Sequence, residues 1–229
     1  MELLLPLFFI REFFFPSGCA LCGAALVGPE EAWQGLCGPC REGLAPVLGE
    51  TCDRCGRPLV SESGRCLACR AREDWNCDSV SLIYPYLGKY RKLLGAYKFG
   101  KHIGVGNFLA RRLGERCCPG FDLVPVPPRP GKIRKTGWDQ VEYLVRFLER
   151  EGFPVRRCLR RLPSQTQKKL GRRDRLQNLE GRFVPAAAAP KKALLIDDVM
   201  TTGATLEACA AALKGAGAEQ VRGLCLFYD

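Results

Sequence analysis

Apolar residues in the last two-thirds of the chain come in short runs whose period switches between two and about 3.6. Residues 79–86 alternate as a half-buried strand does, whereas 90–99 and 105–113 repeat their apolar positions at helical spacing. Residues 121–126 predict a buried strand stopped by Pro127 and Pro128, and 141–148 predict an amphipathic helix. A further strand is expected over 155–159. Leu194, Leu195 and Ile196 form the continuous apolar run of a strand buried on both faces, residues 205–214 an Ala/Leu-rich helix, and 221–227 a closing strand. Strands alternating with helices indicate a parallel sheet, so residues 78–229 are read as an α/β domain with its ligand at the carboxyl ends of the strands.

Residues 1–77 have another texture. Residues 3–15 are strongly apolar but broken by Arg11 and Glu12, and are expected to pack as a helix or to cover another element. The longest apolar run, 3–10, is far short of the ~18 residues of a membrane span. Glu2, Pro6 and the lack of a small-residue cleavage site argue against an export signal. A cytoplasmic protein with no membrane span is therefore expected.

That compartment decides how the 14 cysteines are read. Eight of them form four CxxC pairs, Cys19/Cys22, Cys37/Cys40, Cys52/Cys55 and Cys66/Cys69, each followed by Gly or Arg as in the tight knuckles that aim two sulfurs at one metal. Disulfides do not persist in a reducing cytoplasm, so two four-cysteine zinc sites are expected in preference to disulfides or an iron–sulfur cluster. Fourteen residues separate Cys22 from Cys37 and ten separate Cys55 from Cys66, which favours sequential over interleaved pairing. The expected organisation is an apolar N-terminal segment plus a double zinc ribbon over 1–77, and zinc removal is expected to unfold residues 19–69 while leaving the α/β core largely folded.

The 229 residues are 47% apolar, enough for a real core, and carry a formal charge of +11. Eight thiolates around two Zn²⁺ would reduce this to about +7. The excess is concentrated: residues 156–182 hold ten Arg or Lys against Asp174 and Glu180, and Arg129, Lys132, Arg134 and Lys135 follow the 121–126 strand with no acid among them. Both segments can reach the carboxyl edge of the sheet.

Chemistry is densest over 193–205, where the buried strand runs into Asp197 and Asp198 and then Thr201, Thr202, Gly203, Ala204 and Thr205. The three threonine hydroxyls, the glycine and the free N–H groups of a starting helix suit a phosphate. The two carboxylates would repel a bare phosphate, so the ligand should also bring hydroxyls or a bound Mg²⁺. A ribose 5-phosphate has both parts.

This stretch resembles the phosphoribosyl diphosphate (PRPP) motif of type I phosphoribosyltransferases. The resemblance implies that Asp197 and Asp198 bind the ribose 2′- and 3′-hydroxyls, that 201–205 cradles the 5′-phosphate, and that magnesium accompanies PRPP. It extends through Leu123-Val124-Pro125-Val126-Pro127, Gly137-Trp138-Asp139-Gln140, Gln167, Arg175, Asn178 and Phe183, in the order seen in the ComF family of DNA-uptake proteins, many of which carry a CxxC zinc region ahead of the phosphoribosyltransferase-like domain. Where that family commonly shows Arg-Gly-Phe-Asn-Gln, this chain has Thr136-Gly137-Trp138-Asp139-Gln140. By position, 126–135 resembles the pyrophosphate loop and 163–182 the longer loop that closes over the reacting centre. Lys98 and Arg175 are the residues the resemblance assigns to the charge on the leaving pyrophosphate. The zinc region stands where such enzymes often build a hood over the acceptor.

Three functions fit these readings: a PRPP-binding protein of DNA uptake that contacts single-stranded DNA, an active phosphoribosyltransferase with an unknown acceptor, and a zinc-built adaptor for a DNA-uptake helicase. The first is taken as the expectation, since basic loops beside Trp138 and Phe183 suit a strand by backbone neutralisation and base stacking. His102 is the only histidine, which excludes a histidine pair for proton transfer.

Overall fold

The computed structural model describes residues 18–46, 49–72, 75–163 and 181–229. The apolar 3–15 segment and most of the basic 163–182 segment, Arg175 included, lie outside the described residues. The cysteine-rich part contributes three short helices, α1 (Pro29–Gln34), α2 (Gly38–Glu42) and α3 (Leu67–Arg70). The α/β part then runs β1 (Ser79–Pro85), α4 (Gly88–Lys98), α5 (Ile103–Gly114), β2 (Asp122–Pro125), α6 (Lys132–Thr136), α7 (Gln140–Arg150), β3 (Leu159–Arg161), β4 (Phe183–Pro185), β5 (Lys192–Met200), α8 (Ala204–Gly215) and β6 (Gln220–Tyr228).

The main sheet is parallel throughout, in the order β1-β6-β5-β2, with Leu82 opposite Cys225, Ile196 opposite Leu224 and Val124 opposite Leu195. Central β5 is covered on both sides, which is why its apolar run does not alternate. Leu194 and Ile196 pack with Leu224 and Leu226 under α4, α5 and α7, while Ala193 and Leu195 pack with Val221 and Cys225 under α8. The antiparallel ribbon of β3 and β4 lies beside α8.

The two cysteine ribbons cover opposite faces of this one sheet. Leu36, Leu44, Cys19 and Cys37 of the first belong to the core under α4, α5 and α7, whereas Cys52, Cys55 and Cys69 of the second belong to the core under α8. The first ribbon lies close against α5: a Cβ on Gly104 would stand 2.6 Å from the Gly35 nitrogen. Asn107 Nδ2 donates to the Trp33 carbonyl at 2.9 Å across the same seam. The second ribbon touches the sheet itself, the Val80 N–H of β1 donating to the Arg54 carbonyl at 2.8 Å.

The strand expected over 155–159 forms differently. Val155 makes one parallel bridge to Leu123, and the regular strand starts at Leu159 and pairs with β4 instead. Arg156 and Arg157 explain the shift, because they turn outward to pair with Asp122 and with Glu142 and Glu149. Strand β5 also outruns its apolar stretch, carrying Asp197 and Asp198 inside it, since β6 keeps pairing as far as Met200 opposite Tyr228. Among the described residues no helix is long and apolar enough to cross a membrane.

Candidate functional site

The acid pair lies near the carboxyl end of β5, and successive side chains of a strand point to opposite faces. Asp198, only 6% exposed, points under α4 and α7. There Lys98 Nζ, on the last residue of α4, donates to its Oδ2 at 2.6 Å, and Gln140 Nε2, on the first residue of α7, donates to the same oxygen at 2.8 Å. Gln140 Oε1 accepts from Lys132, which also pairs with Asp139 Oδ2 at 2.8 Å. A continuous polar chain thus joins the acid pair to the loop after β2. Burial alone would raise the Asp198 carboxyl, but the Lys98 ammonium and the Gln140 amide hold it below its ordinary value.

Asp197 is partly exposed and stands on the α8 face, with its Oδ1 accepting the Asp198 N–H at 2.8 Å. Loss of solvent and then the neighbouring Asp198 charge push its carboxyl well above the usual range. Its carboxyl also meets that of Asp198, which is itself engaged with its amine and amide.

The chain then turns through exposed Thr201 and Thr202 into α8. Gly203 caps α8 at φ 78°, a left-handed conformation that glycine adopts without strain. Ala204 opens the helix one residue before the expected start, and half-buried Thr205 occupies its first turn. The loop therefore presents two hydroxyls and the amide end of a twelve-residue helix at one edge of the sheet.

The motif around Trp138 has a structural explanation. Asp139 caps α7, its Oδ1 accepting the Glu142 N–H at 2.8 Å, and its other oxygen meets Lys132. An asparagine at this position would cap equally well but would not balance the lysine charge. Trp138 packs edge-on against Tyr97 and tilts over Tyr143, and the Tyr97 hydroxyl donates to the Gln140 carbonyl, so this cluster fixes the start of α7 that presents Gln140. His102 has a packing and capping role: its Nδ1 accepts the Val105 N–H at 3.4 Å at the start of α5, and burial lowers its pKa.

The eight CxxC cysteines gather in two clusters, Cys19, Cys22, Cys37 and Cys40, and Cys52, Cys55, Cys66 and Cys69, with the four sulfurs of each within 4.8 Å of one another. Pairing is sequential. A tetrahedral zinc with Zn–S bonds of about 2.3 Å sets sulfurs about 3.8 Å apart. Cys22 and Cys37 are 3.7 Å apart and Cys55 and Cys66 3.8 Å. Burial disfavours the thiolates of Cys19 and Cys52, yet backbone N–H groups of both knuckles around each, Cys37 and Cys22 at Cys19 and Cys55 and Cys66 at Cys52, outweigh it and bring each to about 6. The donor set, spacing and preformed N–H shells fit two structural zinc ions.

A double zinc ribbon domain matches residues 10–70, and a phosphoribosyl transferase domain matches residues 186–229. Competence protein ComFC of Streptococcus pneumoniae is 29% identical over 194 residues, spanning 82% of this chain and 84% of that protein. Competence protein F of Haemophilus influenzae is 27% identical over 227 residues, spanning 91% and 96%. Over most of its length the chain is similar to ComF-type competence proteins. The resemblance drawn from the residues around Asp197 and Gln140 is thus carried by whole-length similarity and by both domains in order.

In this chain the structure brings Asp197, Asp198, Lys98 and the 201–205 loop to one edge of the sheet. Lys132, within the 126–135 segment that resembles the pyrophosphate loop, joins them through Gln140. Two residues not singled out as ligand-site groups complete it, Gln140 and Arg57, and Gln140 stood inside the family-like motif, which was its available signal. Arg57 carried no signal.

The opposite shifts of the two acids give a pH signature. Replacing Asp197 by Asn should stabilise the ligand-free protein, with a gain absent in strong acid. The gain should grow as pH rises from the ordinary carboxylate range through the raised native value, because over that window the unfolded wild-type chain ionises Asp197 and the folded one resists. Denaturant midpoints at several pH values measure this, and a gain independent of pH would show that the carboxyl is not raised.

Proposed function

We propose that the chain binds PRPP with Mg²⁺ at the end of β5 and acts in DNA uptake in the cytoplasm, contacting single-stranded DNA through its basic segments. The observation that carries the reading is the placement of an acid pair and a Thr/Gly loop at the carboxyl end of a central parallel strand, which matches a ligand that has hydroxyls at one end and phosphate at the other. In this reading Thr201, Thr202 and Thr205 and the amides of α8 hold the 5′-phosphate, and Asp197 and Asp198 hold the ribose hydroxyls. The loop after β2, with Arg129 and Lys132, faces the diphosphate.

The oxygen donors of Asp197 and of the ligand suit Mg²⁺, which would neutralise charge on the diphosphate when bound. Lys98 contributes a cation beside the acid pair, and Arg175 is assigned a second, closing cation on the resemblance alone. Together these groups can stabilise charge as a diphosphate leaves C1′. Exposed Arg134 and Lys135, with the charges of 156–182, supply the phosphate-neutralising surface for a strand.

Calorimetric titration of PRPP and Mg²⁺ into zinc-loaded protein is expected to show saturable binding. A pyrophosphate-release assay with and without single-stranded DNA then separates a binding protein from an enzyme. A binding isotherm for single strands should weaken with salt at a slope of about −0.7 per phosphate contact. No PRPP binding would overturn the ligand assignment, and no salt-dependent strand binding would remove the DNA contact.

A further inference from the structure

The second cysteine ribbon sends one side chain across to the phosphate loop. Arg57 Nη2 donates to the Thr201 carbonyl and, at 2.6 Å, to the Asp229 carbonyl, partners 144 and 172 positions away in sequence. Arg57 sits two residues after Cys55, and its own carbonyl accepts the Cys52 N–H at 2.8 Å, so its backbone is part of the metal knuckle. That knuckle is seated on β1: Val80 donates to the Arg54 carbonyl, and Gly56, at φ 70°, lies where a Cβ would be 2.3 Å from the Val80 carbonyl oxygen. A cleft of about 540 Å³ lies between ribbon and loop, with Arg57, Arg72, Trp75, Thr201 and Thr202 in its walls.

The chemical consequence follows from the trans peptide. The Thr201 carbonyl and the Thr202 N–H belong to one planar unit and point in opposite directions. A guanidinium that holds the carbonyl toward the ribbon therefore aims the N–H away from it. The same guanidinium ties β5 to the last residue of the described chain, beside the Asp229 N–H that donates to the Met200 carbonyl at 3.0 Å. Both ends of the loop's entry are fixed.

We infer that Arg57 is a positioning residue for the phosphate loop, and that the second zinc site, through it, regulates affinity for a ribose phosphate at that loop. The inference rests on the reading of 201–205 as a phosphate cradle. Because coupling between two sites is reciprocal, a ligand in the cradle should also hold zinc in the second cluster more firmly than in the first.

The test compares wild type, Arg57→Ala and Arg57→Lys, all zinc-loaded and checked for metal content. In ligand-free protein the backbone order parameters of Thr202 and Gly203 should fall from the rigid range, about 0.85, toward 0.6 in Arg57→Ala. PRPP affinity should fall about tenfold in Arg57→Ala and by less in Arg57→Lys, since an ammonium can still reach one carbonyl. Alkylation mapping during chelation should show PRPP slowing exposure of Cys52, Cys55, Cys66 and Cys69 by a several-fold larger factor than that of Cys19, Cys22, Cys37 and Cys40. Unaltered order parameters, or an unaltered affinity in Arg57→Ala, would overturn the inference with the PRPP reading intact. A wild type that binds no PRPP but whose loop loosens in Arg57→Ala would keep Arg57 as the loop's anchor and overturn the PRPP reading and the ligand half of the inference together.

Discussion

Chelating the metal from both cysteine clusters is expected to unfold the sheet together with the ribbons, in one transition. Leu36 and Leu44 are buried in the same core as Leu109 and Leu144, and Cys52 and Cys69 are buried with Leu195 and Leu213, so each ribbon closes one face of the α/β part. Structural zinc contributes about 10–16 kcal/mol of folding free energy per small site, whereas a whole domain is stable by only about 5–15 kcal/mol. Losing either site is comparable to the entire margin. This changes the expectation, drawn from zinc supplying much of a small ribbon's own folding energy, that the core would survive metal removal. Metal analysis should find about two zinc ions per chain. The near-ultraviolet signal of the Tyr97, Trp138 and Tyr143 cluster, far from both knuckles in sequence, should vanish on chelation. A sheet that still melts cooperatively without metal would show that the ribbons are independent lobes, and intact disulfides would remove the zinc assignment itself.

The second large effect is expected at Asp198. Changing it to Asn keeps the shape and the Gln140 contact but removes the charge that two donors share, and the ligand loses a charge-assisted bond worth about 1.5–3 kcal/mol, so PRPP affinity should drop at least tenfold. Stability should fall too, by about 1–2 kcal/mol, since a hydrogen bond to a charged group is weakened. The Lys98 side chain is 30% exposed and can regain water, which keeps this cost well below that of stranding a fully buried ion. The sign with pH is opposite to that at Asp197. A carboxyl held below its ordinary value stabilises the fold above the unfolded-state pKa and loses that contribution as pH falls through the native one. The stability gap between wild type and Asp198→Asn should therefore close in acid. Calorimetry and denaturant titration measure the two effects separately. An unchanged affinity would mean that the pocket holds a different ligand.

The parts of this protein legible in sequence are those whose chemistry is local. The acid pair, threonines and glycine stand within nine consecutive residues, and each CxxC knuckle within four, so their order alone identifies a cradle and a metal pair. The strands at Leu82, Val124 and Leu195 were legible because burial on one or both faces leaves a periodic trace. Gln140 meets Asp198 across 58 positions and Arg57 meets Thr201 across 144, and no periodicity encodes such meetings. The 155–159 segment misled because its outward arginines bracket only a short apolar stretch, so pairing was decided by what β4 offered. Strand β5 was read as ending at Ile196 because charge normally ends a buried run. There the polar partners of Asp198 make an ionised group tolerable inside the sheet.

The seat of the second ribbon on β1 also bears on solubility. Strand β1 is an outer strand, and its free edge would offer unpaired N–H and C=O groups and the alternating Val80, Leu82 and Tyr84 to any other extended chain. The knuckle at Arg54 and Gly56 occupies that edge, satisfying the Val80 N–H and standing over its carbonyl. The opposite outer strand is protected by other means, being four residues long, terminated by prolines and flanked by the Val155 bridge. In the folded protein, metal in the second cluster therefore also holds in place the knuckle that covers this edge against pairing with another extended chain.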